Sequence, residues 1–263
     1  MSLQGKKVLV VGTGKSGIAA TELLRANNID TVLFDGNKEL DTEALYEKVP
    51  AIREVPLILG DMTNAQMDEF DVAVLSPGVP TDIPMVNSLR DKGVKIWGEI
   101  ELAYTFGAGR IIAITGTNGK TTTTALTGEI MKNYFKDVRV VGNIGIPYTS
   151  MVTGSTDETV TVAEISSFQL ETIDTFKPHI SAILNITPDH LNRHHTMENY
   201  IRAKEDITKN QTKDDFCILN YEDKVLRGFA EECPAKVVFF SSKSELSEGF
   251  YLDGDIIMYA HDG

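Results

Sequence analysis

The sequence is poor in cysteine, in tryptophan and in long apolar runs. Its 263 residues include one tryptophan and two cysteines, Cys217 and Cys233, which excludes a disulfide scaffold. Neither cysteine has a flanking cationic cluster, so we expect two reduced, unreactive thiols. No apolar run approaches the roughly 20 residues of a membrane span, and the N-terminus lacks the apolar core of a signal peptide. We therefore expect a cytoplasmic protein with no membrane partner.

Basic residues are also scarce, because 25 Lys and Arg face 38 Asp and Glu, for a net charge of −13. This excess of negative charge disfavours non-specific binding to nucleic acid, so we expect no nucleic-acid partner. An anionic ligand must instead be met by turns, helix ends or metal ions. The composition, with 42% apolar residues, is that of a globular chain of one large or two ordinary domains. We expect a monomer that acts on small molecules.

Short apolar strands alternate with amphipathic helices, which predicts an α/β fold with largely parallel sheets. A glycine-rich linker at residues 106–110 separates two such series. We predict a Rossmann-like domain in residues 1–107 and a P-loop ATPase-like domain in residues 108–263. The sequence stops just after a predicted hairpin around residues 253–255, so we expect the second domain to be incomplete.

Residues 111–122 are the most informative segment. A β-branched apolar run leads into a glycine turn, then a lysine, then hydroxyl residues. That order places backbone N–H groups, an ammonium and a helix N-terminus around one anion, which predicts a triphosphate site. Ile114 stands where the strict P-loop pattern has glycine, and an ordinary helix start is the alternative. The predicted ATP-binding residues are Gly116, Thr117, Asn118, Gly119, Lys120, Thr121 and Thr122.

A second glycine turn follows the first predicted strand. Gly12, Gly14 and Gly17 have dinucleotide-fingerprint spacing, and Asp35 lies eighteen residues beyond Gly17. The pattern requires only a diphosphate on a helix N-terminus and an acid that accepts a hydroxyl, so NAD and a UDP-sugar both satisfy it. A close backbone turn without a ligand is a further alternative. With a separate triphosphate turn in the chain, the pattern favours an ATP-driven enzyme with a nucleotide-linked substrate.

Five motifs then occur in a fixed order, at residues 116–122, 142–147, 164–171, 185–191 and 200–204. Together they resemble the central domain of the Mur ligases. Residues 166–171, taken with the N-terminal glycine turn, are most similar to the family members that add D-glutamate. The resemblance covers nearly all of the chain. It also accounts for Ile114, because the phosphate loop of this family is shorter than the strict pattern.

The resemblance implies an ATP-dependent amide ligase of peptidoglycan precursor synthesis. Such an enzyme adds D-glutamate to UDP-N-acetylmuramoyl-L-alanine through an acyl phosphate, with ATP and two Mg²⁺ ions. Thr121 and Glu164 would hold one ion. His190 would hold the other, together with Lys204 after its reaction with CO₂ to a carbamate. The catalytic residues that the resemblance implies are Lys120, Asn143, His190 and Lys204.

The same resemblance implies that the first domain holds the UDP-sugar. The glycine turn would wrap the diphosphate, and the segment after the fourth strand would line the far side. Asn143 and His190 would reach this substrate from the second domain. The implied UDP-sugar-binding residues are Gly14, Lys15, Ser16, Gly17, Asp35, Ser76, Gly78, Asn143 and His190.

Three other functions remain as alternatives. An NAD-dependent oxidoreductase would use the first glycine turn, but it leaves Glu164 and His190 without a role. A folylpolyglutamate synthase shares the ATP domain, but it has no use for a UDP-binding domain. Mur ligases carry a C-terminal domain that we expect this chain to lack, so the third alternative is a non-catalytic nucleotide-binding fragment. Zinc is not expected, because His190 and His194 have helical spacing without the glutamate of a zinc protease.

Overall fold

The computed structural model describes residues 2–143 and 145–261, which form two compact units. The first unit contains the chain up to Ala108, with the segments Ile146–Ser155 and Glu171–Asp174. The second unit contains the remaining described residues. Two short segments that follow the predicted linker therefore group with the first unit. Ile144, inside the motif at 142–147, and the last two residues of the predicted second domain lie outside the described residues.

Strands and helices alternate through both units, and the predicted α/β class is confirmed. The strands are β1 (Lys7–Val11), β2 (Asp30–Asp35), β3 (Leu57–Leu59), β4 (Val72–Leu75), β5 (Lys95–Gly98), β6 (Arg110–Thr115), β7 (Val138–Gly142), β8 (Val160–Glu164), β9 (Ile180–Ile183), β10 (Phe216–Asn220), β11 (Lys236–Ser241), β12 (Gly249–Asp253) and β13 (Ile256–Ala260). The helices are α1 (Lys15–Ala26), α2 (Thr42–Lys48), α3 (Asn64–Met67), α4 (Pro84–Asp91), α5 (Glu99–Phe106), α6 (Lys120–Lys132), α7 (Tyr148–Met151), α8 (Ser167–Leu170), α9 (Leu191–His194), α10 (Met197–Glu205) and α11 (Lys224–Phe229). Short 3-10 turns span Pro50–Ile52 and Asp206–Thr208.

The sheet of the first unit is parallel throughout, in the order β3-β2-β1-β4-β5. Strand β1 is apolar on both faces because it lies between two neighbours and under helices, and Val8, Leu9 and Val10 are fully buried. The strand order reverses between β1 and β4. In open α/β sheets a ligand binds at such a switch point, outside the carboxyl ends of the strands. The loops after β1 and β4 flank this point.

The sheet of the second unit has the order β13-β12-β11-β10-β9-β6-β8-β7. Its strands are parallel except for the β12–β13 hairpin, which lies where the sequence predicts one. Strand β6 has β8 on one side and β9 on the other, with Ile114 opposite Glu164 and Thr115 opposite Ile183. Gly142 of β7 is also opposite Glu164. The carboxyl ends of four strands therefore meet beside the loop that follows β6.

Within residues 2–143 and 145–261, the helices are too short or too polar for any of them to cross a lipid bilayer.

The turn after β1 depends on close backbone packing at Gly17. A Cβ at Gly17 would lie 1.8 Å from the carbonyl oxygen of Gly12, whereas a Cβ at Gly14 would meet nothing within 4 Å. We expect Gly17→Ala to lower the free energy of unfolding by about 2 kcal/mol, because the backbone must move to admit the methyl group. The matched control Gly14→Ala should cost less than about 1 kcal/mol. Chemical denaturation measures both, and equal losses would contradict this packing argument.

Candidate nucleotide and metal site

The loop after β6 leads into α6, whose first residue is Lys120. Gly119 precedes the helix at φ 85°, a left-handed conformation that residues with a Cβ rarely adopt. The turn leaves the first backbone N–H groups of a thirteen-residue helix without intrahelical acceptors, and this helix end favours negative charge. Thr121 and Thr122 are exposed in this first turn. This geometry suits the binding of a phosphate group at the helix N-terminus and of a metal ion by a threonine hydroxyl.

The segment after β9 holds this phosphate loop in place. The backbone N–H of Thr117 donates to the Asn185 carbonyl oxygen at 2.9 Å. Asn118 N donates to Asn185 Oδ1 at 2.9 Å, and Asn185 Nδ2 donates to the Asn118 carbonyl oxygen at 2.9 Å. The Thr117 hydroxyl lies 3.0 Å from the Tyr200 hydroxyl and accepts from Thr187 N at 3.0 Å. The loop is therefore fixed at both its backbone and its side chains.

Two lysines donate to one carbonyl oxygen of the loop, that of Gly116. The Lys120 Nζ–Gly116 O distance is 3.0 Å, and the Lys204 Nζ–Gly116 O distance is 2.8 Å. Lys120 also donates to the Thr117 carbonyl oxygen at 2.9 Å. Lys204 is only 2% exposed, and its Nζ lies 4.7 Å from the centre of the Tyr200 ring. Neither lysine forms an ion pair within the described part of the chain.

Burial and, to a smaller extent, the charge of Lys120 lower the pKa of Lys204 from 10.5 to about 7, although Asp189 acts in the opposite direction. A large fraction of Lys204 is therefore a neutral amine at neutral pH. This is an unusual state for a lysine, and it makes the side chain a nucleophile.

Glu164, the last residue of β8, is 1% exposed. Asn143 Nδ2 donates to its Oε1 atom at 2.8 Å, and Asn143 N donates to its carbonyl oxygen at 2.9 Å. The other carboxylate oxygen, Oε2, is buried and has no hydrogen-bond partner among the described residues. Leaving a buried carboxylate oxygen unsatisfied is costly, and oxygen is the ligand that Mg²⁺ prefers. Glu164 therefore fits a cation ligand.

His190 lies at the surface before α9, at φ 51°. Its ring centre is 4.9 Å from that of Phe168, and its Nε2 is 3.4 Å from Asp189 Oδ2. His194 is buried instead, with Nε2 2.9 Å from the Ser167 hydroxyl. Within the described ranges, no three His, Cys, Asp or Glu side chains converge on a point that could hold a metal. The predicted metal sets would therefore need Thr121, Lys204 and ligand oxygens to be complete.

In the first unit, Asp35 is bonded to the glycine turn itself. Thr13 donates to Asp35 Oδ2 from its hydroxyl at 2.6 Å and from its N–H at 3.1 Å. Asn37 N donates to Asp35 Oδ1 at 2.9 Å. Burial raises the pKa of Asp35, but these hydrogen bonds outweigh it and leave the pKa below its ordinary value. Asp35 therefore stays ionised and stiffens the turn.

The other predicted residues of the first unit flank the β1/β4 switch point. Ser76 follows β4, and its buried hydroxyl has no hydrogen-bond partner among the described residues. A Cβ at Gly17 would lie 3.0 Å from this hydroxyl oxygen, so the two loops touch here. Gly14, Lys15 and Gly78 are exposed around the contact, and Ser16 is partly exposed. The exposed backbone at the start of α1 is available to a diphosphate.

The sequence of the chain matches models of known protein domains. The sequence model of the Mur ligase middle domain matches residues 114–262, more than half of the chain. The chain belongs to the Mur ligase family. A second model, of the MurD-like N-terminal domain of Mur ligases, matches residues 6–98. The resemblance stated from the sequence motifs is thereby confirmed.

Two relatives are named UDP-N-acetylmuramoylalanine–D-glutamate ligase. That of Lachnoclostridium phytofermentans is 58% identical over 262 residues, which cover 100% of this chain and 58% of the relative. That of Lachnospira eligens is 54% identical over 259 residues, which cover 98% and 57%. The chain thus spans less than two thirds of the length of these Mur ligases.

The likeness extends to solved structures. A UDP-N-acetylmuramate:L-alanyl-gamma-D-glutamyl-meso-diaminopimelate ligase from Neisseria meningitides superposes with a TM-score of 0.61, over 97% of this chain and 84% of that one. At 14% sequence identity, this likeness concerns the fold alone.

The structure thus groups the predicted residues of this Mur ligase into separate sets. Lys120 and Lys204 meet at the phosphate loop, Asn143 meets Glu164, and His190 lies against Phe168. Sequence reasoning gave no individual role to Asn185, Tyr200, His194 or Thr13, which hold these elements in place. A role for Asn185 could have been recognised from the sequence, because this residue follows a buried strand at the sheet edge where ligands bind. The remaining three had no such signal.

Lys204 generates a prediction about pH. Between pH 7 and 10.5 Lys204 is protonated in the unfolded chain and mostly neutral in the folded chain. The burial of Lys204 therefore destabilises the fold fully below pH 7, and this destabilisation decreases as the pH rises towards 10.5. At pH 6.5 we expect Lys204→Met to raise the free energy of unfolding by roughly a few kcal/mol, and at pH 10 the increase should be much smaller. Denaturation across this range measures the effect. The exposed Lys209→Met is the control, and a pH-independent difference for Lys204→Met would contradict the assignment.

Proposed function

We propose that the chain forms the UDP-sugar-binding and ATP-binding parts of a ligase that adds D-glutamate to UDP-N-acetylmuramoyl-L-alanine. The observation that carries the proposal is the convergence of two lysines and a helix N-terminus on the Gly116 loop, beside a buried carboxylate. The two relatives named UDP-N-acetylmuramoylalanine–D-glutamate ligase are 58% and 54% identical to the chain. The proposal places the protein in the cytoplasm, as a monomer that acts on small molecules in peptidoglycan precursor synthesis.

Lys120 is the residue that meets the nucleotide. Its ammonium donates to two neutral carbonyl oxygens of its own loop. Phosphate oxygens are stronger, charged acceptors at the same loop, so ATP draws the ammonium towards its β- and γ-phosphates. The N–H groups at the start of α6 add partial positive charge. This combination supplies the local attraction that a chain of net charge −13 lacks overall.

The proposed reaction has two steps. The substrate carboxylate attacks the γ-phosphorus of ATP, which forms an acyl phosphate and releases ADP. The amine of D-glutamate then attacks the acyl carbon, which forms the amide and releases phosphate. The first step brings two anions together, and the positioned charge of Lys120 lowers its barrier. Asn143, held by Glu164, is placed to donate its remaining amide hydrogen to substrate.

Magnesium fits the donor set at Glu164. The unpartnered Oε2 and the exposed Thr121 hydroxyl are hard oxygen ligands, and a bound ion supplies positive charge that screens the phosphate oxygens. The second predicted ion would be held by His190 and Lys204. A protonated Lys204 would repel this cation, whereas a carbamate, which forms when the neutral Lys204 amine adds to CO₂ and loses a proton, would attract it.

The carbamate predicts a spectroscopic signal. In ¹³C-bicarbonate, a carbamate carbon signal should appear in the spectrum of the wild-type chain and be absent from that of Lys204→Met.

The alternative functions have less support. An NAD-dependent oxidoreductase would use the glycine turn of the first unit, but it leaves Lys120, Glu164 and His190 of the second unit without a role. A folylpolyglutamate synthase has no use for the unit that matches the MurD-like N-terminal model. A non-catalytic nucleotide-binding fragment predicts binding without phosphate release when all three substrates are present. Measurement of phosphate release separates it from the ligase.

Calorimetric titration tests the proposal directly. We expect UDP-N-acetylmuramoyl-L-alanine to bind more tightly than UDP alone, NADH to give no heat, and a non-hydrolysable ATP analogue with Mg²⁺ to bind saturably. Lys120→Ala should weaken binding of the ATP analogue by a hundredfold or more (about 3 kcal/mol for lost charged hydrogen bonds). The same variant should bind the UDP-sugar normally. NADH binding in place of the UDP-sugar would overturn the proposal, and an unchanged ATP-analogue affinity would overturn the role of Lys120.

The metal assignment is tested through stability. A ligand that binds only the folded chain raises the midpoint of thermal unfolding. We expect Mg²⁺ to raise the midpoint of the wild-type chain further in the presence of the ATP analogue, and Glu164→Gln to lose most of this additional rise. The exposed Glu158→Gln should keep it. An equal rise in all three proteins would remove Glu164 from the metal site.

A further inference from the structure

Thr124 is a buried threonine of α6 with no role in the site described above. It is 0% exposed, and its hydroxyl oxygen has no hydrogen-bond partner among the described residues. Burying a polar group without a partner is costly, and a valine would fill almost the same space without that cost. A partner from outside the chain would remove the cost.

The side of α6 that faces the sheet carries Thr124. Thr124, Gly128 and Met131 lie on one face of the helix, because they are four and three residues apart. A Cβ on Gly128 would clash with the Val140 side chain of β7. Met131 packs against the core cluster that contains Val162 of β8. The face of α6 with Thr124 therefore lies on β7 and β8.

Glu164 lies on the face of the sheet that α6 covers. Side chains two residues apart along a strand point to the same face, so Glu164 leaves β8 on the same face as Val162. That is the face on which Met131 of α6 packs. Thr124 and Glu164 thus both point into the layer between α6 and the sheet.

Thr124 also lies level with Glu164 along the sheet. Because α6 follows β6 and leads back to strands parallel to β6, it runs in the opposite direction to them. The four residues from Gly128 back to Thr124 span about 6 Å towards the carboxyl ends of the strands. The two residues from Val140 to Gly142 span about 6.6 Å in the same direction. Since Gly128 meets Val140 and Gly142 is opposite Glu164, Thr124 reaches the level of Glu164.

Two buried oxygen atoms without partners therefore face the same space. Asn143 Nδ2 donates to Glu164 Oε1 at 2.8 Å, but Glu164 Oε2 and the Thr124 hydroxyl have no partner among the described residues, not even each other. A third group that contacts both would satisfy them together. Mg²⁺ fits, because it takes oxygen ligands and retains several waters, whose hydrogens need acceptors.

We propose that Thr124 is a positioning residue for Mg²⁺, and that its hydroxyl accepts a hydrogen bond from a water ligand of an ion bound at Glu164 Oε2. The inference rests on the proposed function, because it needs the ion at Glu164. Thr121, three residues nearer the start of α6, supplies its hydroxyl to the ion itself, whereas Thr124 acts through the water. Such outer hydrogen bonds orient a metal ion and its ligands, and their loss weakens metal binding.

Calorimetric titration of Mg²⁺ into the chain, saturated with the non-hydrolysable ATP analogue, tests the inference. Thr124→Val removes the hydroxyl at nearly constant shape and should weaken Mg²⁺ binding by about tenfold. Thr124→Ser keeps the hydroxyl and should bind Mg²⁺ within about threefold of the wild type. The control Thr127→Val, at a partly exposed position of the same helix, should bind it normally. Equal affinities of the wild type and Thr124→Val would overturn the role of Thr124.

Glu164→Gln separates failure of this inference from failure of the proposed metal site. If Glu164→Gln binds Mg²⁺ as tightly as the wild type, Glu164 is not a ligand, and the inference fails together with the site. If Glu164→Gln loses binding but Thr124→Val keeps it, the site stands and only the inference fails. In the double variant, Thr124→Val should cause little further loss, because both side chains act on one ion.

Thermal unfolding distinguishes this role from a merely structural one. Without Mg²⁺ the midpoint of Thr124→Val should equal or exceed that of the wild type, because the variant no longer buries an unpartnered hydroxyl. Its additional rise with Mg²⁺ and the ATP analogue should be smaller. A lowered midpoint without Mg²⁺, with an unchanged additional rise, would make Thr124 a packing residue only. If circular dichroism shows Thr124→Val unfolded, Thr124→Ala, which also lacks the hydroxyl, takes its place in both measurements.

Discussion

The carbonyl oxygen of Gly116 accepts hydrogen bonds from two lysines, and the second unit is organised around that contact. When both lysines are protonated their ammonium groups repel each other, and burial of Lys204 removes much of its hydration, so Lys204 loses its proton readily. The fold sustains this cost through the packing of α10, which carries Lys204, and through the hydrogen bonds from Asn185 that hold the loop. An anion at the start of α6 relieves the repulsion. The binding of a phosphate ligand proposed for this site would therefore stabilise the fold.

Strand register explains how the other polar groups reach the same edge. Ile114 and Gly142 both lie opposite Glu164, so the carboxylate side chain leaves β8 at the level where β6 and β7 end. A shift of one residue in β8 would turn Glu164 to the opposite face of the sheet. Asn143 is in place for the same reason, since it directly follows Gly142. Backbone pairing thus positions the carboxylate and the amide before any side-chain contact forms.

The sequence predicted the elements whose determinants are contiguous. The alternation of strands and helices and the hairpin around residues 253–255 agree with prediction, and the phosphate loop is a local motif. Strand β7 gives a weak local pattern because it mixes Arg139 with valines and is only partly buried, and four-residue helices such as α8 are too short for helical periodicity to show. The Lys204–Gly116 contact joins positions 88 residues apart, which no local pattern encodes. Family resemblance implied a role for Lys204, but not the carbonyl oxygen that it meets.

The two glycine turns show how similar local sequences can suit different ligands. In the first unit, Gly17 allows close packing against Gly12, the carboxylate of Asp35 is bonded into the turn, and Lys15 is exposed. In the second unit, Gly119 turns the chain into α6 beside two lysines and no carboxylate is bonded into the loop among the described residues. A helix N-terminus with little added charge suits a diphosphate, whereas a helix N-terminus beside the Lys120 ammonium suits the larger charge of a triphosphate. In a chain of net charge −13, we propose that this local difference in charge decides which phosphate each turn binds.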